Sequence, residues 1–239
     1  MKRTLAVIVA VATLASCSSS SPSTIANTTG PGFTAAMNLP GDTSVEAGFA
    51  RDMSVHHAQA VAMAEAIGDR TTDPDLKLLA TDIALGQQGQ IGRMSGWLDE
   101  WGLNPTSTAT PMAWIRSDNL LPGSTSSSDM GGMGGMSGTA ASGTSTTMTA
   151  DGRMPGMATR PQVTALGTLP IEQAEISFLQ LMIAHHTAGV VMAQVVMGQA
   201  VLARTDRPDV VRLATSIVSG QQAEITVMTD MLAKRCTTP

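Results

Sequence analysis

All four histidines of this chain occur in two adjacent pairs, and each pair lies in an apolar stretch that also carries methionines. The two stretches match in the positions of their imidazole and thioether side chains: Met53, His56, His57, Met63, Met182, His185, His186 and Met192. Imidazole binds copper and zinc, whereas the thioether of methionine is a soft ligand that favours Cu(I). The same softness suits Ag(I). These residue types predict a metal site with mixed His and Met ligands, and copper, preferably Cu(I), as the metal.

The spacing of these residues suits helices. Successive residues of an α-helix turn by about 100°, so Met53 and His57 share one face while His56 and Met63 share the adjoining strip. The second stretch repeats this arrangement. Two such helices in one core would bring together up to four His and four Met side chains, and either histidine of a pair could point inward. The competing interpretation is that methionine fills the core and histidine forms a buried polar network.

The repeat extends beyond the histidine stretches. The first stretch recurs at an offset of 129 residues, as from His56 to His185, and the following stretch recurs at 134, as from Gln87 to Gln221. Apolar residues follow three- and four-residue steps in all four stretches, which predicts four helices. Each repeat is then a helical hairpin with an apolar face. Two such hairpins predict an all-α fold, a ferritin-like four-helix bundle.

The N-terminus predicts export and lipidation. Lys2 and Arg3 precede a short apolar stretch, which is typical of a secretory signal. The sequence Leu-Ala-Ser-Cys that ends at Cys17 resembles a bacterial lipobox, so we expect cleavage before Cys17 and attachment of lipid to its thiol. The expected location is the outer face of the cell membrane.

The chain then divides into segments of different composition. Stretches rich in Ser, Thr, Gly and Pro precede and separate the two hairpins, as expected of tethers and linkers. The predicted segments are a signal peptide over 1–16, the lipidated cysteine and flexible tether over 17–41, the first helical hairpin over 42–102, a Gly/Ser/Met-rich linker over 103–168 and the second helical hairpin over 169–239.

The linker carries methionines that no core is expected to need. They are Met130, Met133, Met136, Met154 and Met157. Three interpretations stay open: transient capture of Cu(I) or Ag(I), a low-complexity tether in which methionine has become frequent, or a surface that is oxidised sacrificially.

Other positions allow two interpretations each. Met94 and Met228 also repeat, and they belong either to the core or to a second ligand set. Cys236 is either a free or intermolecularly paired thiol or a metal ligand. Glycines interrupt the second helix at Gly86, Gly89, Gly92 and Gly96. Each costs about 1 kcal/mol relative to alanine, and we expect the close approach of a neighbouring helix to compensate.

Composition excludes other classes of function. The formal net charge is −5 and no basic stripe is present, which argues against nucleic acid as a partner. The sequence contains no nucleophile constellation, phosphate-binding loop or disulfide-exchange motif, so enzymatic activity is not indicated.

The combined pattern E-x-x-F-x-x-x-M-x-x-H-H-x-x-x-x-x-M-A, followed by a helix with G-Q-Q-x-E-I-x-x-M, resembles the exported bacterial family named domain of unknown function 305. The resemblance covers residues 43–102 and 170–235. It implies a ferritin-like bundle, and, as for some members, periplasmic copper binding and copper tolerance. The first repeat departs from the second at two positions, where Gln90 matches Glu224 and Asp52 matches Leu181.

The sequence therefore predicts a cell-surface lipoprotein that binds copper for sequestration, tolerance or delivery to a metal-handling protein. One alternative is a copper-dependent oxidase or a peroxide-consuming enzyme, which would need redox cycling at an open metal position. The other is a structural or interaction bundle without metal.

Overall fold

The fold is a bundle of α-helices. The computed structural model describes residues 39–115, 148–201 and 207–237. In these ranges it contains helices and no strand, and the helices are α1 Val45–Gly68, α2 Pro74–Glu100, α3 Arg160–Leu166, α4 Ile171–Val201 and α5 Pro208–Thr237. The prediction of an all-α bundle is confirmed. The short helix α3 was not predicted, and it lies inside the segment interpreted as linker.

Side-chain caps define where the first two helices begin. Ser44 accepts a hydrogen bond from the backbone N–H of Ala47 at the start of α1. Asp73 accepts from the backbone N–H groups of Asp75 and Leu76 at the start of α2. These oxygens satisfy amide groups that have no partner within the helix. Because Pro74 lacks an amide hydrogen, its place in the first turn of α2 leaves no donor unpaired.

The helices pack as two hairpins joined through their first members. α1 packs along α2, and α4 packs along α5, while α1 and α4 pack against each other and α2 meets α5 only narrowly. The core helix α4 is long and apolar enough over Ile171–Gly198 to cross a membrane by length and composition alone, and half of its apolar window is buried in the bundle.

Two apolar clusters lie on either side of the histidine pairs. The first cluster includes Met53 of α1 and Met192 of α4. The second includes Met63 of α1 and Met182 of α4. Because each cluster joins the early part of one helix to the late part of the other, α1 and α4 run antiparallel and cross near their histidines.

The glycines of α2 do not serve close packing. A Cβ atom added at Gly86, Gly89, Gly92 or Gly96 would meet no described atom within 4 Å. The expectation that a neighbouring helix approaches them is therefore wrong. The physical reason is that these glycines lie on the exposed surface of α2, away from the face that packs on α1.

The segment after α2 is held on α1 by a partly buried carboxylate. The Oδ2 atom of Asp52 accepts from the backbone N–H of Met112 at 2.6 Å and from Nε1 of Trp114 at 2.8 Å. The indole of Trp114 occupies the space that a Cβ at Gly48 would need. Met112 has φ of 66°, and it is the only residue other than glycine with positive φ in the described ranges. The hydrogen bond to Asp52 thus holds a backbone conformation that side chains disfavour.

The proposed boundaries of signal, tether, hairpins and linker remain predictions. Cys17 and residues 116–147 lie outside the described residues. Within the predicted linker, residues 148–158 form a loop whose contacts with the histidines are given below.

Candidate metal centre

The four histidine rings are buried at the crossing of α1 and α4, each with 0% relative exposure. His56 of α1 and His185 of α4 lie with ring centroids 3.7 Å apart and planes inclined by 32°. His186 lies 6.1 Å from His185 between ring centroids. The two repeats therefore meet through their histidines, and both members of each pair are interior.

The second histidine of each pair is held by the other helix of its own hairpin. The Nε2 atom of His57 lies 2.6 Å from Oε1 of Gln90 on α2. The Nε2 atom of His186 lies 2.7 Å from Oε2 of Glu224 on α5. Both oxygens accept a hydrogen bond, so both rings carry their proton on Nε2. The sequence marked these two positions only as a mismatch between the repeats, although they orient the imidazoles.

The first histidine of each pair donates to a backbone carbonyl. The Nε2 atom of His185 lies 3.0 Å from the carbonyl oxygen of His56. The Nε2 atom of His56 lies 3.3 Å from the carbonyl oxygen of Pro155. Since carbonyl oxygens only accept, these rings also carry their proton on Nε2.

Pro155 belongs to a loop that covers the central rings. Next to it, Gly156 has φ of 74°, and a Cβ there would lie 2.6 Å from the carbonyl oxygen of Ala184. Gln59 fixes the end of the loop by exchanging two hydrogen bonds with the backbone of Ala158, at 3.0 and 2.7 Å. The glycine lets the loop touch α4, and the sequence carried no signal for this contact except the Pro-Gly dipeptide.

The Nδ1 atoms of all four histidines are buried and have no hydrogen-bond partner among the described residues. With the proton on Nε2, the Nδ1 of a neutral ring carries a free lone pair. Metal-binding histidines commonly donate their other ring N–H to a carboxylate or a carbonyl, which fixes the ring and its tautomer. Buried polar atoms without partners are uncommon and call for an explanation such as an ion. Each ring is therefore held through Nε2 and leaves its buried Nδ1 available to an ion.

The protonation of the rings agrees with this role. Burial lowers the pKa of His56 to about 3 and the pKa of His57 to about 4. Burial, reinforced by the neighbouring histidines, holds the pKa of His185 well below its usual range. These three imidazoles are neutral at pH 7, and only the neutral ring can offer a lone pair to a metal.

Thioethers flank the histidines on both sides. Met53 and Met192 lie in the first apolar cluster, Met63 and Met182 in the second, and none of the four is more than 1% exposed. In the described part of the chain, no three His, Cys, Asp or Glu side chains come together as a metal-binding group. A metal at the crossing would therefore need methionine as well as histidine ligands.

The remaining candidates divide between the core and the surface. Met94 is buried in the first cluster and Met228 in the second, which leaves both interpretations open for them. Met154 is buried in the first cluster and Met157 packs on it, so the expectation that no core needs the linker methionines is wrong for these two, because their loop folds back onto the bundle. Cys236 is exposed. The linker residues Met130, Met133 and Met136 lie outside the described residues.

Sequence reasoning missed Met112, which is 5% exposed within the first cluster. It has no counterpart in the second repeat, so the repeat gave no signal for it. The segment that follows α2 therefore places the thioether of Met112 on one side of the histidines.

Comparisons with known proteins agree with this architecture. The sequence profile of a family described as Domain of unknown function (DUF305) matches residues 46–232. A crystal structure from Streptomyces coelicolor, described as a candidate secreted protein of that family, is 38% identical and covers 82% of this chain and 96% of its own, with a TM-score of 0.62. A fragment from Deinococcus radiodurans of the same family is 30% identical, covers 80% of this chain and 96% of its own, and has a TM-score of 0.55.

Two further proteins have either a lower sequence identity or a shorter match. CopM in a Cu(II)-bound form is 22% identical and covers 80% of this chain and 97% of its own, with a TM-score of 0.51, so it shows a shared fold. A protein of Acanthamoeba polyphaga mimivirus, L153, is 48% identical over 48 residues, which are 20% of this chain. The matched part spans about a third of that viral protein, 32% of its length.

Proposed function

Because this chain belongs to the domain of unknown function 305 family, whose profile spans residues 46–232, we propose that it binds copper at the crossing of α1 and α4. The ligands are drawn from His56, His57, His185 and His186 and from the methionines that flank them. The copper is cargo, held for sequestration, tolerance or delivery.

One observation carries the proposal. Four oriented imidazoles present unpaired Nδ1 lone pairs inside a buried core. In a purely structural network we would expect these atoms to find partners, because an unpaired polar atom in the interior costs about 1–3 kcal/mol. A metal bound by one or two of these nitrogens together with methionine sulfur would remove that cost for the rings that bind it. A neighbour of the same fold, CopM, is described in a Cu(II)-bound form, which supports copper as the metal.

Cu(I) suits this site better than harder cations. The nearby donors are imidazoles and thioethers, and soft thioethers select Cu(I) among the biological metals. The same donors would hold Ag(I). Zn²⁺ is disfavoured because it prefers three or four His, Cys, Asp or Glu ligands, and no three such side chains come together in the described ranges.

The proposed setting is the outer face of the cell membrane. Cys17 would carry lipid, and residues 17–41 would tether the bundle away from the bilayer. The Streptomyces relative, described as a candidate secreted protein, supports export. A metal-handling protein would then receive or supply the copper.

An anaerobic Cu(I) titration with a competing chelator tests the proposal. Cys17→Ser and Cys236→Ser should be present throughout, so that thiols do not bind the metal. The comparison variant replaces all four histidines with leucine, and circular dichroism checks that it remains helical. Tight binding that the variant loses supports the site. Binding that survives would move it to the linker methionines, and absence of binding in both proteins would refute the copper function.

A further inference from the structure

A small cleft between α2 and α5 is built from the same positions of both repeats. It has a volume of about 40 Å³ and is lined by five residues from each helix, including the matched pairs Gly86 with Gly220 and Gln90 with Glu224. A cleft of this size has room for more than one water molecule. The cleft lies where the two hairpins meet least closely.

The cleft opens to solvent and is lined by the hydrogen-bond partners of two histidines. Gln90 and Glu224 line it, and the same side chains accept the hydrogen bonds from Nε2 of His57 and His186. The side chain of Glu224 is 28% exposed, whereas the ring of His186 is 0% exposed. A single side chain thus separates solvent in the cleft from a buried imidazole.

The electrostatic character of the cleft favours cations. Asp82 and Glu224 place carboxylates in its wall, and no Lys or Arg is among the described residues that line it. Gln87 and Gln221 also line it, each 4% exposed, with amide atoms that have no described hydrogen-bond partner. Carboxylates in a narrow cleft concentrate cations near its mouth, and unpaired amides give a polar lining below them.

The opposite approach to the histidines is closed. Pro155 receives the hydrogen bond of His56, and Gly156 is pressed against α4 so closely that a Cβ would lie 3.1 Å from Cα of His185. At the cleft, by contrast, a Cβ at Gly86 or Gly220 would meet no described atom within 4 Å. The glycines therefore leave clearance on the side where carboxylates gather.

We propose that the cleft between α2 and α5 is the portal through which a soft monovalent metal cation moves between solvent and the buried imidazoles. The proposal rests on the copper-binding function and adds a route to it. Asp82 and Glu224 attract the ion, and the glycine positions keep the mouth open. A portal changes how fast the ion enters and leaves without changing how tightly it is held.

Variants that narrow the opening of the cleft test whether the metal ion passes through it. The double variant Gly86→Phe, Gly220→Phe adds bulk where space is open, and Gly92→Phe, Gly96→Phe is the matched control, because those α2 glycines are equally unobstructed but do not line the cleft. Transfer of Cu(I) from a coloured chelate is followed by stopped flow, and affinity is measured by equilibrium competition. We expect association and dissociation to slow together by about tenfold or more in the first variant, with an unchanged Kd, and the control to behave as the unsubstituted protein.

A second pair of variants tests the role of charge. Asp82→Asn should slow association, and raising salt should reduce that difference. Asp230→Asn removes the same charge from an exposed position of α5 outside the cleft and should leave the rate unchanged. Association equally fast in the narrowed variant and its control, or equally slowed in both, would overturn the portal while leaving copper binding intact. A protein that binds no Cu(I) would instead refute the proposed function.

Discussion

The two hairpins carry the same histidines but hold them differently. In the first hairpin, His57 donates to the amide oxygen of Gln90. In the second, His186 donates to the carboxylate of Glu224. A carboxylate only accepts, so Glu224 fixes the proton of His186 on Nε2. An amide has both a donor and an acceptor, so Gln90, whose oxygen accepts from His57 here, restricts the tautomer of its partner less than Glu224 does.

The difference in partners makes a nearly symmetric site chemically unequal. A carboxylate behind a histidine raises the basicity of the ring as a ligand more than a neutral amide does. We therefore expect His186 to bind the metal more strongly than His57. The repeat places the four histidines at the helix crossing. The difference between Gln90 and Glu224 changes how strongly the second histidine of each pair can bind a metal.

The hairpins also differ in what they anchor. Asp52 of the first hairpin holds the segment with Met112 and Trp114, whereas the matching residue of the second hairpin is Leu181, which has no acceptor. The first hairpin therefore binds the segment that follows it through Asp52. Met112 of that segment packs in the first apolar cluster.

Removing the histidines of one hairpin at a time gives the largest expected effect. One variant carries His56→Leu and His57→Leu, and the other carries His185→Leu and His186→Leu. Since His56 and His185 lie with ring centroids 3.7 Å apart, we expect a shared site, and either variant should lose tight Cu(I) binding in a competition titration. Two variants that each keep half of the copper would contradict a shared site. Thermal unfolding without metal serves as the control for folding.

The pH dependence of stability should be large and common to both hairpins. Burial lowers the pKa of His56 to about 3 and that of His57 to about 4, from the ordinary histidine value of 6.5. Between these values the unfolded chain binds more protons, so the free energy of unfolding falls as pH drops from about 6.5 towards 4, by at most about 1.4 kcal/mol per pH unit for each histidine.

Urea unfolding at a series of pH values measures this dependence in the metal-free protein. The variant His56→Leu, His57→Leu keeps every carboxylate and should show a shallower loss of stability on acidification. An equally steep loss in the variant would show that His56 and His57 do not cause the pH dependence.

Exchanging the partners of the second histidines sharpens the comparison further. Glu224→Ala should lower the equilibrium affinity for Cu(I) by about 10- to 100-fold, because it removes the group that orients and polarises His186. Glu224→Gln copies the first hairpin and should cost less, while Gln90→Glu should raise the affinity. Competition titrations measure all three. A Gln90→Glu variant that binds more weakly than the unsubstituted protein would show that the charge does not strengthen the ligand.

The smallest expected effect concerns the anchor on α1. Asp52→Leu copies the second hairpin and leaves the N–H groups of Met112 and Trp114 without their acceptor. It should lower the free energy of unfolding by about 1–3 kcal/mol, and Asp52→Asn, which keeps one acceptor oxygen, by less. Urea unfolding measures both. Equal stability of Asp52→Leu and the unsubstituted protein would mean that the hydrogen bonds to Asp52 do not hold the segment.

The sequence was sufficient for the fold and for the residues at the helix crossing. The helical steps predicted the four long helices, and the repeat predicted that the histidine helices lie side by side. The exposed glycines of α2 were misread, because the cost of glycine in a helix does not reveal which face it occupies. The roles of Pro155 and Met112 could not be predicted. Pro155 contacts a histidine 99 residues away in the sequence, and Met112 has a positive φ that side chains disfavour.

The most direct test of the central claim is X-ray absorption at the copper edge of the Cu(I)-loaded protein with Cys17→Ser and Cys236→Ser. With both thiols removed, any sulfur ligand must be methionine. The proposed site predicts a coordination shell that contains both imidazole nitrogen and thioether sulfur. A shell of sulfur alone would place copper on the methionines and contradict the role assigned to the four histidines.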